Sequence, residues 1–124
     1  YPTLKKEHLK MPVKVYLILK VINGKIINVI EIDPFYLSID KSIDAQVSIE
    51  MQNKYNLMSA WLDIRHVNTK ILNGPAGPHL GIFYSSFVPK ENVNENYIKY
   101  IKDFSTLDIE IQQEVQSSLR IPPY

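Results

Sequence analysis

Val13, Val15, Leu17, Leu19 and Val21 alternate mostly with Lys14, Tyr16, Ile18 and Lys20. This period of two, rich in β-branched residues, predicts a half-buried strand. Asn23-Gly24 follows, a pair that favours a type I′ hairpin turn. Lys25–Ile32, with four isoleucines and a valine, supplies the returning strand. Asp33-Pro34 ends it, because proline has no N–H to give to a ladder. The period then changes. Ile43, Val47, Met51 and Tyr55 recur every fourth residue, as on a helix packed against a sheet, with Asp40 or Ser42 as its cap and Asn56 as its terminator. Residues 59–72, holding Trp61, Leu62, Ile64, Val67 and Ile71, predict one or two strands. Asn73-Gly74-Pro75-Ala76-Gly77-Pro78-His79 reads as an irregular loop before a strongly hydrophobic strand, Leu80–Val88, closed by Pro89.

Two helical segments finish the pattern. Tyr97, Tyr100, Ile101 and Phe104 have the spacing of a buried helix face. Ser105 and Asp108 resemble a capping box, opening a second helix with the face Leu107, Ile111, Val115 and Leu119 and a stop at Pro122-Pro123. Leu107–Ile111 also alternates as a strand does, so that stretch has two readings. The fold class expected is α+β: a mixed or antiparallel sheet opened by a β-hairpin, with one central helix and two C-terminal helices. Residues 1–12 read as an N-terminal arm and 13–124 as a single globular domain, a usual size for one core.

Composition changes this picture little. With 45% hydrophobic and 22% charged residues the chain has enough apolar surface to fold rather than stay disordered. A net charge of +1 does not point to nucleic acid or to a membrane surface. Lys5, Lys6, Lys10, Lys14, Lys20 and Lys25 crowd the first quarter against Glu7, which suits either a solvated face or contact with phosphate or acidic protein. The absence of cysteine removes disulfides, thiolate metal sites and thiol nucleophiles; it is compatible with a cytoplasmic protein without establishing one. No apolar run approaches the roughly 20 residues of a membrane helix. The polar, lysine-rich start is unlike a secretory signal, and a chain starting at Tyr1 is expected to be processed or a fragment.

Candidate chemistry is sparse. His8, His66 and His79 have no partner at metal-ligand spacing, and neither a metal nor a cofactor is expected. Nucleophile-elbow, P-loop and dinucleotide fingerprints are absent. The loop 73–79, which contains Gly74 and Gly77, has two prolines, which weakens it as a phosphate cradle. It reads either as a rigid turn or as the rim of a ligand pocket, with Asn73 and His79 offering polar contacts. Asp40 and Asp44 share a helix face while Glu50 is offset by about 120°, an arrangement that suits a solvated face better than an acid pair. Tyr16 and Tyr84 are candidates for base stacking in a groove.

The order of elements resembles the Nudix family. There a strand pair leads to a loop-helix-loop with the motif G-x5-E-x7-R-E-U-x-E-E-x-G-U, U being a bulky aliphatic, and further strands and a helix follow. Val15–Ile32 resembles the opening pair, Ser42–Leu57 the motif helix, Gly77–Tyr84 a later strand and Leu107–Leu119 the closing helix. Aligned on Glu50, the motif finds Phe35 at its first glycine, Lys41 at its first glutamate and Ile49 at its arginine. Asn53 and Lys54 stand at the paired glutamates and Asn56 at the last glycine; Glu50, Met51 and Leu57 fit. In active members of the family the glutamates hold divalent ions that polarise a diphosphate, so the resemblance implies a member without that chemistry. A second resemblance, of Gly74–His79 and the following strand, is to the DOPA 4,5-dioxygenase family and its ferredoxin-like fold. That family needs further histidines where this chain has Glu31, Asp33 and Gln112.

What the resemblance implies is a catalytically silent binding or assembly domain that recognises a nucleotide-like small molecule or a protein partner. Phe35, Lys41, Glu50 and Lys54 would surround the cleft, and Asn73, His79 and Tyr84 would line its rim. Nucleic acid is not indicated. The alternatives are a metal-dependent hydrolase of nucleoside-diphosphate linkages using Asp40, Asp44 and Glu50, and a purely structural subunit.

Overall fold

The first strand, β1 (Val13–Asn23), is buried along nearly its whole length, because each of its side-chain rows meets its own layer, one row apolar throughout and the other mixing Tyr16 and Ile18 with Lys14 and Lys20. The structure, a computed structural model, describes residues 12–38, 40–58, 63–75 and 77–119. β2 (Ile26–Val29) returns antiparallel, pairing Asn23 with Ile26. β3 (Phe35–Tyr36) pairs with the other end of β1. After α1 (Ile43–Tyr55), β4 (Arg65–Gly74) and β5 (Gly77–Pro89) form a hairpin, and α2 (Ile109–Leu119) ends the described chain. The sheet order is β2-β1-β5-β4, with β3 also on β1. β1 runs parallel to β5 and antiparallel to its other partners, so the sheet is mixed.

Parity along the strands sorts the core into two layers. Val13, Val15, Leu17, Leu19 and Val21 join Ile82, Tyr84 and Val88 against Ile43, Val47, Met51 and Tyr55 of α1. Tyr16, Ile18, Phe83 and Leu72 face the other way, against Val115 and Ile111 of α2. The helices therefore cover opposite faces of the sheet, unlike the ferredoxin-like arrangement, in which both lie on one side. Ser42 caps α1, its hydroxyl accepting from the Ala45 N–H at 3.2 Å. Asn56 ends α1 in the left-handed region with φ 56° and its N–H on the Met51 carbonyl, as the αL stop requires.

Several expectations are corrected. The hairpin loop is Gly24-Lys25, one residue beyond the expected centre. Gly24 alone has positive φ there, at 62°, which a II′ turn demands of its first central residue and a I′ turn of both. The second strand stops at Val29 rather than Ile32. A single strand occupies the described part of 59–72, within the one or two expected; Trp61 and Leu62 lie outside the described residues, as do 1–11 of the expected arm and Pro122-Pro123. The loop 73–79 is mostly strand, with Asn73 opposite Pro78 and Gly74 opposite Gly77.

The helix expected over Tyr97–Phe104 is absent, leaving one C-terminal helix. Tyr100 bridges Ile30, while the Glu31 N–H donates to Lys99 O and the Ile101 N–H to Val29 O. An extended course serves these bonds and sends Ile98 to one core layer and Ile101 to the other. Ser105 does not form the expected capping box. Its N–H and hydroxyl go to the Asp103 carboxylate, within a single 3-10 turn at Phe104–Thr106. Leu107–Ile111 is not a strand: it leads into α2, whose first bond runs from the Gln112 N–H to Asp108 O. Among the described residues no helix is long and apolar enough to cross a membrane.

Candidate functional site

On the α2 face of the sheet, Lys14 and Tyr16 from β1 stand beside His79, Gly81 and Phe83 from β5, because the parallel register sets Lys14 against Gly81 and Tyr16 against Phe83. The Tyr16 ring stacks on Phe83 at a centroid distance of 4.8 Å. Room for it comes from Gly81, where a Cβ would fall 2.8 Å from Leu72 Cδ1 and 3.3 Å from the Tyr16 ring. The Tyr16 hydroxyl lies 2.7 Å from His79 Nε2 in a buried hydrogen bond. Burial, then the field of Lys14, lowers the His79 pKa against a backbone bond at Gly77 that raises it. A neutral ring held at Gly77 by one nitrogen accepts the Tyr16 hydroxyl at the other. Burial, then Asp108 and Tyr36, raises the Tyr16 pKa, so the phenol keeps its proton to donate.

A cavity of about 590 Å³ opens over this pair, a size usual for small-molecule sites. Ile32, Leu72, Leu107 and Ile111 give it apolar walls, while Lys14, Asn73, Asp108 and Glu110 bring polar groups. Two lysines from the sheet fix α2 above it. Lys70 donates to Glu110 O at 3.1 Å and pairs with the buried Glu114 carboxylate at 3.1 Å, which also accepts from Asn68 Nδ2 at 2.7 Å. Lys20, only 1% exposed, donates to Ser118 O at 2.9 Å, near the helix C-terminus, where a cation is favoured. Its Nζ also lies 3.8 Å from the centre of the Phe87 ring. Burial lowers its pKa to about 8.

The expected site residues divide between the two faces. Asn73 and His79 come together in the cavity. Tyr84, an odd number of residues from His79 on the same strand, points to the α1 side and is buried there, with its ring edge-on to His66 at 5.7 Å. Phe35 packs against that layer too. Lys41 is exposed at the entry to α1, its carbonyl accepting from Gln46 Nε2. Glu50 and Lys54 meet on α1 at 3.5 Å, and Lys54 binds Asp33 at 2.8 Å. Burial would lower the Lys54 pKa, but Asp33 raises it overall. Lys14, Asp108 and Glu110 were not singled out as site residues from sequence; strand parity is the signal that could have grouped Lys14 and Tyr16 with His79.

The divalent ion that the family resemblance implies does not fit this donor set. The Lys54 ammonium occupies the space between Glu50 and Asp33, and among the described residues no three of His, Asp and Glu gather to hold a metal. A divalent site would need several oxygen ligands free of such a cation.

No protein-family model matches the chain, and no curated protein matches its sequence. Its backbone is nevertheless similar to solved structures. The Ap4A hydrolase of C. elegans superposes with a TM-score of 0.66 at 10% identity, over 85% of this chain and 93% of that one. The NUDIX domain of Shewanella oneidensis NrtR, complexed with ADP ribose, gives 0.66 at 11% identity, over 94% of each chain. NrtR complexed with a 27mer DNA also gives 0.66, over 86% of this chain but 61% of that longer one. Such low identities carry the likeness of backbone and nothing finer, and what they establish is that this chain has a Nudix fold.

Proposed function

We propose that this domain binds a nucleotide-like small molecule in the cavity between β1, the β4–β5 hairpin and the start of α2, and that it does not cleave it. The observation that carries the reading is the cavity itself, walled by apolar side chains, with Asn73, Lys14 and the first turn of α2 supplying a few polar contacts. That mixture suits a flat heterocycle joined to a polar sugar. The NUDIX domain of NrtR with its ADP ribose gives the same fold a nucleotide ligand. The reading of silence in hydrolysis is supported by Lys54, whose ammonium pairs with Glu50, the one carboxylate that fits the motif.

A thermal-shift panel of nucleosides, nucleotides and sugar nucleotides, each with and without magnesium, tests this. A ligand at about 100 times its Kd adds roughly 2.7 kcal/mol, several degrees for a chain of this size. The expected result is a shift independent of magnesium, diminished in Asn73→Ala, with no phosphate or nucleoside monophosphate released. Magnesium-dependent turnover lost in Glu50→Gln would replace this reading with the hydrolase. A flat panel would leave a structural subunit.

A further inference from the structure

The groups that line the cavity are poorly suited to phosphate. A helix N-terminus is the usual backbone site for an anion. At α2 that end already has Asp108 and Glu110 beside it, and both residues line the cavity. The hairpin at the rim has Pro75 and Pro78, which carry no N–H. His79 is neutral and engaged with Tyr16 and Gly77. Lys14 is the one cation among the described lining residues, and its Nζ lies 4.9 Å from the centre of the Tyr36 ring. Against it stand two carboxylates, which accept hydrogen bonds and donate none.

We infer that the cavity reads the nucleoside and not the phosphates, and that its preferred occupant is an unphosphorylated nucleoside. This rests on the proposed function and narrows it. The base lies between Ile32, Leu72 and Leu107, with its ring N–H or amino donors towards Asp108 and Glu110. A diphosphate on the same nucleoside brings negative charge towards those carboxylates and gains only Lys14. Phosphates are held in solvent at the mouth or exclude the ligand.

Calorimetric titration with adenosine, guanosine, cytidine and uridine, each against its 5′-diphosphate, decides the matter. For the nucleoside that binds best, the diphosphate is expected to bind about threefold to tenfold more weakly, by like-charge repulsion in a partly screened site. The nucleoside Kd is expected to be insensitive to added salt. In Asp108→Asn/Glu110→Gln the nucleoside binds more weakly and the gap to its diphosphate closes; the unfolding midpoint of this variant shows that it is folded. A diphosphate binding tenfold or more tightly than its nucleoside, with affinity that falls as salt rises, overturns the inference and leaves the proposed function standing. Binding of neither class overturns both.

Discussion

The two faces of the sheet are built from alternate residues of the same strands, yet they differ in kind. The α1 face is a continuous apolar layer from Val13 to Val88, with Ile43, Val47, Met51 and Tyr55 pressed into it. The α2 face interrupts its apolar layer with Tyr16 bonded to His79, Lys20 beneath Ser118 and Asn68 with Glu114 and Lys70. Buried polar groups stabilise little once desolvation is counted, but they are expensive to leave unpaired and so hold their partners in one arrangement. The first face therefore supplies most of the stability. The second fixes the geometry of α2 and of the cavity beneath it.

The largest expected effect is on the dry face. Met51→Ala removes a side chain with no exposure and is expected to destabilise by about 2–5 kcal/mol in urea unfolding, the range for a core cavity. Ligand affinity, measured where the variant is folded, should not change; a loss comparable with that of an Asn73 variant would mean that the faces are not separable.

A smaller effect concerns Lys20. Its folded pKa of about 8 lies below its ordinary 10.5. Between these values the unfolded chain holds a proton that the folded chain has released, so stability rises with pH through that window. The expected gain from pH 7 to 9.5 is about 2 kcal/mol in urea midpoints converted by m, and Lys20→Met should abolish the slope. Tyr16 and Tyr55, raised chiefly by burial, act oppositely above pH 10, where the unfolded chain loses protons that the folded chain keeps. A stability falling steadily from pH 7 would show that Lys20 is not buried as described.

The smallest expected change in stability comes from Tyr16→Phe, about 1–2 kcal/mol for leaving His79 Nε2 without its donor. It sharpens the comparison because the ligand-induced thermal shift should fall with it. An unchanged shift would remove the Tyr16–His79 pair from the site and leave only the cavity walls.

How much of this was legible in the sequence depends on the range of the forces involved. The hairpin, the stripe of α1, its Ser42 cap and its Asn56 stop are local, and the residues announce them. Tyr97–Phe104 has helical spacing, but backbone bonds to Val29 and Glu31, partners in distant sequence, draw it out straight. Asn73 and His79 were recognisable as polar groups beside a glycine-proline turn. Their separation from Tyr84 follows from counting along β5, whereas grouping them with Asp108 and Glu110 needs the path of α2, which no local pattern states.

The parallel pairing of β1 with β5 has a consequence in time. Every partner, from Val13 with Leu80 to Val21 with Val88, is 67 residues away. Contacts this remote place folding among the slower small domains, in milliseconds to seconds rather than microseconds. During synthesis the apolar strand β1 emerges first and waits, with its inner edge open, for a strand made several seconds later at about 5–20 residues per second. Until β5 arrives, β1 is the segment of this chain most exposed to aggregation.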